Sequence, residues 1–312
     1  MPPKVYVVIL NYRTWTDTVE CLESLCHTSH RPFEVIVADN ASGDGSLDRI
    51  REAVDGRLNF PLHYLQSAFN GGFAAGNNIG LRYALAAGDG RYFWLLNSDT
   101  VVTPEAMSAL VGAAEDDHSR GRKIGQYGSK LLYHARPHLI QAVGGSYNKW
   151  FGVTKELGNL QRDTGQFDVT APTPDILIGA SLFVSSLFLQ ETGLMCEDYF
   201  LYFEEHDWAV RGARRGFGLR VVPGSVIYHK QGVSIGAVGG DRQGKSVLSD
   251  FYSFRNRLLF TLRFFPYCLP TVYLGCLGVA VNRARRRQWN RLPMMLRLMC
   301  TFFRRPMFNQ AS

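Results

Sequence analysis

Three apolar runs, each ending on a polar residue and each followed by a helix-like segment, constrain this chain most. Residues 5–10, 33–39 and 92–97 are rich in β-branched and aromatic side chains, the pattern of strands buried on both faces. After the first run, Thr16 or Asp17 can cap a helix ending near Leu25, with Val19, Leu22 and Leu25 on one face. After the second, residues 40–46 form a turn-and-cap loop, and Leu47, Ile50 and Val54 then recur at helical spacing. Residues 63–65 are a short strand candidate, and Gly71-Gly72-Phe73 leads into a helix through about Ala87. Pro104, beyond the third run, stands where the first turn of a helix belongs. Strands alternating with helices predict an α/β fold with a mostly parallel, doubly wound, Rossmann-like sheet. Such sheets bind ligands beyond the carboxyl ends of their strands, where Asp39 and Asp99 fall.

The later sequence is less regular. Residues 121–173 are rich in Gly, Tyr and His and show no period. Residues 199–215 hold an aromatic and acidic cluster followed by a helix-like run, and two short strand candidates flank Gly224. The six cysteines form no CxxC pairs, which favours reduced thiols over a disulfide framework.

Charge divides the chain in two. Its 312 residues carry a formal net charge of +7, yet no acidic residue follows Asp250, while eleven arginines do. Residues 1–250 are therefore net −4, with 23 basic against 27 acidic groups. Residues 264–281 carry no charge but contain Pro266 and Pro270, and residues 292–303 are apolar around Arg297. Eighteen uncharged residues are marginal for a span, which takes about 20. Apolar helices lying in an anionic lipid interface fit this tail better, and no nucleic-acid role is expected. The expected division is an α/β unit over 1–257 and a basic, membrane-associating helical tail over 258–312.

Three acidic stations stand along this pattern: Asp39-Asn40, Asn97-Ser98-Asp99, and Glu204-Glu205-His206-Asp207, the last followed by His229. A carboxylate at a strand end can hold a base, a ribose or a hard divalent ion on a diphosphate. An acidic run among Phe200, Tyr202, Phe203 and Trp208 suggests a partly dry pocket that raises a carboxylate's pKa. Gly43-x-Gly45 follows the second strand rather than the first and lacks a third glycine, so a dinucleotide fingerprint fails.

These stations, in this order, resemble family 2 glycosyltransferases. The matching segments are Val7-Val8-Ile9-Leu10-Asn11-Tyr12, Val37-Ala38-Asp39-Asn40-Ala41-Ser42, Asn70-Gly71-Gly72-Phe73-Ala74-Ala75-Gly76-Asn77-Asn78 and Leu96-Asn97-Ser98-Asp99-Thr100. Further on come Phe200 to Trp208 with Arg211, then Tyr228-His229-Lys230 with Ser234, and finally Tyr252 with Arg255-Asn256-Arg257. Within that family the pattern is most similar to the bacterial rhamnosyltransferase-like branch. Two departures stand out: Asn97 occupies a position that is often Asp, and Glu205 a position that is usually Asp.

The resemblance implies a GT-A fold and a metal-dependent, inverting sugar transfer by a hexosyltransferase-class enzyme. The donor is a nucleotide-sugar, and the branch points first to L-rhamnose on dTDP. The cofactor is Mg²⁺ or Mn²⁺. The acceptor is a saccharide or polyprenyl-linked saccharide of cell-envelope polysaccharide synthesis, met at the cytoplasmic face of a bacterial inner membrane. By position, Asp39 would contact base or ribose, and Asn11, Asn40, Asn70, Gly72, Phe73, Asn77, Asn97 and Ser98 would complete the donor site. Asp99 and His229 would hold the metal. Glu205 would be the catalytic base with Asp207 its rival, while Glu204 and Arg211 shape the site. Asn97 also leaves a second reading, a GT-A protein that binds a nucleotide-sugar or carbohydrate without turnover.

Overall fold

The computed structural model describes residues 2–230 and 246–301; Ser234 lies outside them. The alternating half forms as its pattern predicts. It runs β1 (Val5–Asn11), α1 (Trp15–Leu25), β2 (Phe33–Asp39), α2 (Ser46–Val54), β3 (Leu62–Gln66), α3 (Gly72–Ala87) and β4 (Tyr92–Asn97). Alternate residues of β1 serve opposite faces. Val5, Val7 and Ile9 join one apolar cluster with Leu22 and Ile50, whereas Tyr6 and Val8 join another with Leu81 and Trp208. That double burial is why these strands read as unbroken apolar runs.

β5 (Thr100–Val102), α4 (Ala106–Ser119), β6 (Ile124–Tyr133) and β7 (Arg136–Ala142) follow, then the hairpin β8 (Gly145–Asn148) and β9 (Val153–Glu156). β10 (Ser181–Ser185), α5 (Ser186–Thr192), α6 (Glu204–Ala213) and β11 (Gly218–His229) complete the α/β body. The strands make a nine-stranded sheet in the order β3-β2-β1-β4-β10-β6-β11-β5, with β7 beside β6. The sheet is mixed, which corrects the expectation of a mostly parallel one. β3, β2, β1 and β4 are mutually parallel, but β10 is antiparallel to both β4 and β6. β5 and β7 are antiparallel to their partners as well. Parallel pairing needs a long crossover, normally a helix. Residues 134–180 return through hairpins and loops instead, so β10 re-enters in the opposite direction. The two candidates around Gly224 are one strand, β11, whose register shifts between Val222 and Val226.

Three helices close the described chain: α7 (Val247–Phe264), α8 (Leu269–Arg285) and α9 (Leu292–Thr301). Pro266 and Pro270 start new helical turns rather than interrupt a span. Val272, Cys276 and Ala280, at helical spacing on α8, pack with Phe254 and Leu258 of α7 and Met295 of α9. Leu259, Phe260 and Phe264 of the same α7 pack on Tyr199 and Phe203 of the body. The division expected after residue 257 thus falls inside a helix that belongs to both cores. Among the described residues, no helix is long and apolar enough to cross a membrane.

Candidate active site

The carboxyl ends of β1, β2 and β4 lie along one edge of the sheet. Asn11 is level with Asp39, and Asn97 pairs one residue below, at Leu10. Asp39 is almost wholly buried. Its Oδ1 accepts from Asn11 Nδ2 at 2.6 Å and from the Ser42 hydroxyl at 2.5 Å. Its Oδ2 accepts from the Ser42 amide at 2.9 Å and from Gln66 Nε2 at 2.8 Å. A carboxylate offers about four lone-pair sites, so the fold uses them all. Asn11 is equally committed, with Oδ1 accepting from Thr18 at 2.9 Å. Ser98 is buried, its hydroxyl 3.0 Å from that of Thr14.

A second network carries this edge toward the acidic loop. Asn40 Nδ2 donates to Asn70 Oδ1 at 2.8 Å and to the Gly72 carbonyl at 3.1 Å. The Phe73 amide donates to the Phe200 carbonyl at 2.7 Å. Gly72 has φ +86°, and a Cβ there would lie 2.2 Å from the Phe200 oxygen, so only glycine allows this approach. Asn77, expected at the donor site, gives its amide to the Phe73 carbonyl within α3 at 2.9 Å. Its neighbour Asn78 makes the long-range contact, donating to the Met195 carbonyl at 2.9 Å and to Glu197 at 2.8 Å.

Asp99 occupies the turn between β4 and β5. β11 pairs antiparallel with β5, placing His229 opposite Thr100. His229 Nε2 is thereby 3.2 Å from Asp99 Oδ1, and both side chains are more than nine-tenths buried. On the other side of the ring, Nδ1 lies 2.9 Å from Gln141 Oε1. With Nδ1–H given to Gln141, Nε2 is the ring atom turned to the carboxylate, and it makes no hydrogen bond. Two electron-rich atoms facing each other in a buried place suit a shared cation. Neighbouring ligands of an octahedral Mg²⁺, each about 2.1 Å from the ion, are about 3 Å apart. The pair therefore fits a divalent ion, with Gln141 fixing the ring as outer partners of metal-bound histidines do. Among the described residues no set of three His, Cys, Asp or Glu side chains gathers there. Mg²⁺ often takes few protein ligands and completes its shell with phosphate and water. Sequence reading missed Gln141, which lies in the stretch without a period.

The third station is built on strain. Phe200, Tyr202 and Phe203 all have φ near +70° (67°, 70° and 76°), where side-chain-bearing residues cost about 1–3 kcal/mol each. Asn256 of α7 holds the turn: its Nδ2 donates to the carbonyls of Tyr199, Leu201 and Tyr202 at 2.8, 2.8 and 3.0 Å. Phe200 stacks on Tyr252, with ring centres 4.6 Å apart. α6 then begins with Glu204, Glu205 and Asp207 in its first turn.

These carboxylates have different surroundings. Asp207 is fully buried, and its oxygens take Arg211 Nε at 2.5 Å, Arg263 Nη1 at 3.0 Å and the Tyr199 hydroxyl at 3.0 Å. It is a neutralised anchor between α6 and α7. Glu205 keeps about a fifth of its side chain exposed and lies 3.6 Å from His206 Nδ1. Burial pushes its pKa up to about 7, outweighing the stabilisation that its own backbone amide gives the anion. His206 offers no positive charge against this, because burial lowers its pKa to about 3. Its ring packs among Phe203, Tyr147 and Phe260, and Nε2 sits 2.7 Å from the Thr154 hydroxyl. Glu204 is buried outright and held well above the usual carboxylate range by burial and by the charge of Glu205.

Relatives share this frame. A curated relative from Haloferax volcanii, the low-salt glycan biosynthesis hexosyltransferase Agl10, is 21% identical over 282 residues, covering 88% of this chain and 81% of its own. Among solved structures, GalNAc-T7 with UDP, GalNAc and Mn²⁺ superposes with a TM-score of 0.58 at 16% identity, over 73% of this chain and 44% of that one. This chain thus spans under half of GalNAc-T7. The mannosyltransferase PcManGT of Pyrobaculum calidifontis, with GDP-Man and Mn²⁺, has a TM-score of 0.56 at 14% identity, covering 96% of this chain and 87% of its own. S. aureus TarS 1–349 has a TM-score of 0.55 at 16% identity, covering 94% and 80%. At such identities these neighbours establish the GT-A fold. The sequence profile of glycosyl transferase family 2 matches residues 6–169, more than half of the chain, and the chain belongs to that family.

Proposed function

We propose that this protein is an inverting, divalent-cation-dependent hexosyltransferase that moves a sugar from a nucleoside-diphosphate donor to a saccharide or polyprenyl-linked acceptor. The reading extends to L-rhamnose on dTDP as donor and to cell-envelope polysaccharide synthesis at the cytoplasmic face of a bacterial inner membrane. The observation that carries it is Glu205, a partly exposed carboxylate whose pKa burial raises to about 7 and which the arginines that claim Asp207 leave free.

In the reaction, Glu205 takes the proton of the acceptor hydroxyl as that oxygen bonds the anomeric carbon. The bond from that carbon to the donor phosphate breaks with inversion, and the nucleoside diphosphate leaves with the electron pair. A divalent ion held by Asp99 and His229 would offset the charge gathering on that leaving group. Asp39 is reserved for base or ribose. Of its four donors only Gln66 is exposed, so Gln66 is the one a nucleotide would displace. Asn40, Asn70, Gly72, Phe73, Asn97 and Ser98 complete the donor end, while Asn11 and Asn77 act as supports.

The test is a panel of nucleotide-sugars assayed for divalent-dependent hydrolysis or transfer, with a membrane lipid extract as acceptor. Turnover of one donor, abolished in Glu205→Gln, is expected. Binding without turnover would instead favour the non-catalytic reading that Asn97 suggests.

A further inference from the structure

A second polar site lies outside the catalytic edge. Between α7, α8 and α9 is a cleft of about 330 Å³, lined by Ser253, Phe254 and Arg257, by Asn282, Arg283 and Arg286, and floored by Asp250. That volume is at the lower end of small-molecule sites, about 300–1,000 Å³. Asp250 is neutralised within the fold by Arg283 Nη2 at 2.7 Å and by Arg291. Arg283 Nη1 is also used, donating to Gln288 at 3.0 Å. The Nε atoms of Arg257 and Arg283 are nonetheless buried without an acceptor. A buried donor left unmade costs roughly 1–3 kcal/mol, so an anion that draws either guanidinium toward the cleft would recover part of that cost. Arg257, Arg283 and Arg286 outnumber the single carboxylate, so the lining is net positive. Its other wall is apolar, with Phe254, Val279 and Met295.

We propose that this cleft binds the phosphate or diphosphate group of an amphiphile, with Arg257, Arg283 and Arg286 on the oxyanion and the chain against Phe254, Val279 and Met295. The guanidinium fork matches phosphate oxygens, and the apolar wall distinguishes a prenyl or acyl phosphate from free phosphate. This refines the membrane-facing part of the proposed function. It does not depend on the donor edge or on bilayer binding.

The test is calorimetry on the full-length protein with farnesyl diphosphate, inorganic pyrophosphate, inorganic phosphate and farnesol as probes. Arg257→Met keeps an unbranched apolar side chain over Gly152, a sulfur replacing the Cδ methylene, while removing the charge, and Arg286→Gln changes an exposed residue. Farnesyl diphosphate should bind saturably, about tenfold more weakly to Arg257→Met and severalfold more weakly to Arg286→Gln. Asp99→Ala, at the other site, should leave its affinity unchanged. Pyrophosphate or phosphate binding as tightly as the prenyl probe would overturn the amphiphile. Farnesol binding equally well would overturn the oxyanion site. No saturable binding, or loss in Asp99→Ala with none in either arginine variant, would overturn the cleft. Vesicle sedimentation, run separately, reports on the membrane reading alone.

Discussion

Glu205 and Asp207 are two residues apart on one helical turn, and their surroundings divide the work between them. Glu205→Gln keeps size and hydrogen bonding but cannot take a proton, so kcat should fall by roughly 10²–10⁴-fold with donor affinity intact. Because burial raises the Glu205 pKa from 4.5 to about 7, its folded form favours the proton. As the proposed base, Glu205 would act only above that value, and kcat/KM should rise with pH through a limb near 7. The same shift makes Glu205 a stability cost that grows between about pH 4.5 and 7. Glu205→Gln should thus raise the melting temperature at pH 8 and leave it unchanged at pH 4. Asp207→Asn should do the opposite. It leaves Arg211 and Arg263 without their shared carboxylate, and breaking a buried pair costs about 3–5 kcal/mol. Normal stability in Asp207→Asn with lost turnover would make Asp207 the base instead. At the proposed metal pair, Asp99→Ala should abolish divalent-dependent activity. Gln141→Leu, which only frees the His229 ring, should raise the Mn²⁺ concentration needed for half-activity about 10–100-fold. An unchanged Mn²⁺ requirement in Gln141→Leu would count against the pair as ligands.

Among the elements, α7 controls the catalytic loop. Asn256 gives one amide to three carbonyls of a turn whose residues sit in the left-handed region, so its loss lets that strain relax. Asn256→Ala should lower kcat at least tenfold and displace the pH limb of Glu205, with little change in donor affinity. A kcat that falls only in proportion to the folded fraction would reduce Asn256 to a structural role. Asn256 was visible as part of a closing motif, but its partners lie 54 to 57 residues earlier, so its task was not. The same division runs through the molecule. β1, β2 and β4 were legible because burial on both faces writes itself as an apolar run, and Asp39 and Asp99 because they end such runs. β6 to β9 were not, because antiparallel returns with shifting register leave no period. Asp207 stood as the rival of Glu205 in the sequence, where Arg211 is readable at i+4 but Arg263, its second cation, arrives only with α7.

At the scale of the whole molecule, the charge of the tail weighs less than its composition suggests. Eleven arginines follow Asp250, yet Arg255 and Arg263 are spent on the acidic loop, and Arg283 and Arg291 on Asp250. Exposed arginines remain at the end of α8, where Arg285, Arg286 and Arg287 are adjacent. Apolar surface gathers at the other end of α8. Thr271 of α8 donates to the Trp150 carbonyl at the β8–β9 tip. The exposed Trp150 ring meets that of Tyr267 5.9 Å away, and Phe151 is exposed beside them. Exposed aromatic rings at one end of α8 and arginines at the other are the side chains that would serve the proposed membrane contact. At about 1 kcal/mol per basic group near an anionic surface, losing two arginines costs about 2 kcal/mol, or roughly thirtyfold in partitioning. Arg285→Gln with Arg287→Gln, sparing the cleft residue Arg286, should therefore weaken flotation with phosphatidylglycerol vesicles about thirtyfold at low salt. Trp150→Ala with Tyr267→Ala should instead remove the part of binding that survives high salt, because apolar burial is not screened. Flotation unchanged in both double variants would mean that these side chains only close the fold, and that the enzyme meets its acceptor away from the bilayer.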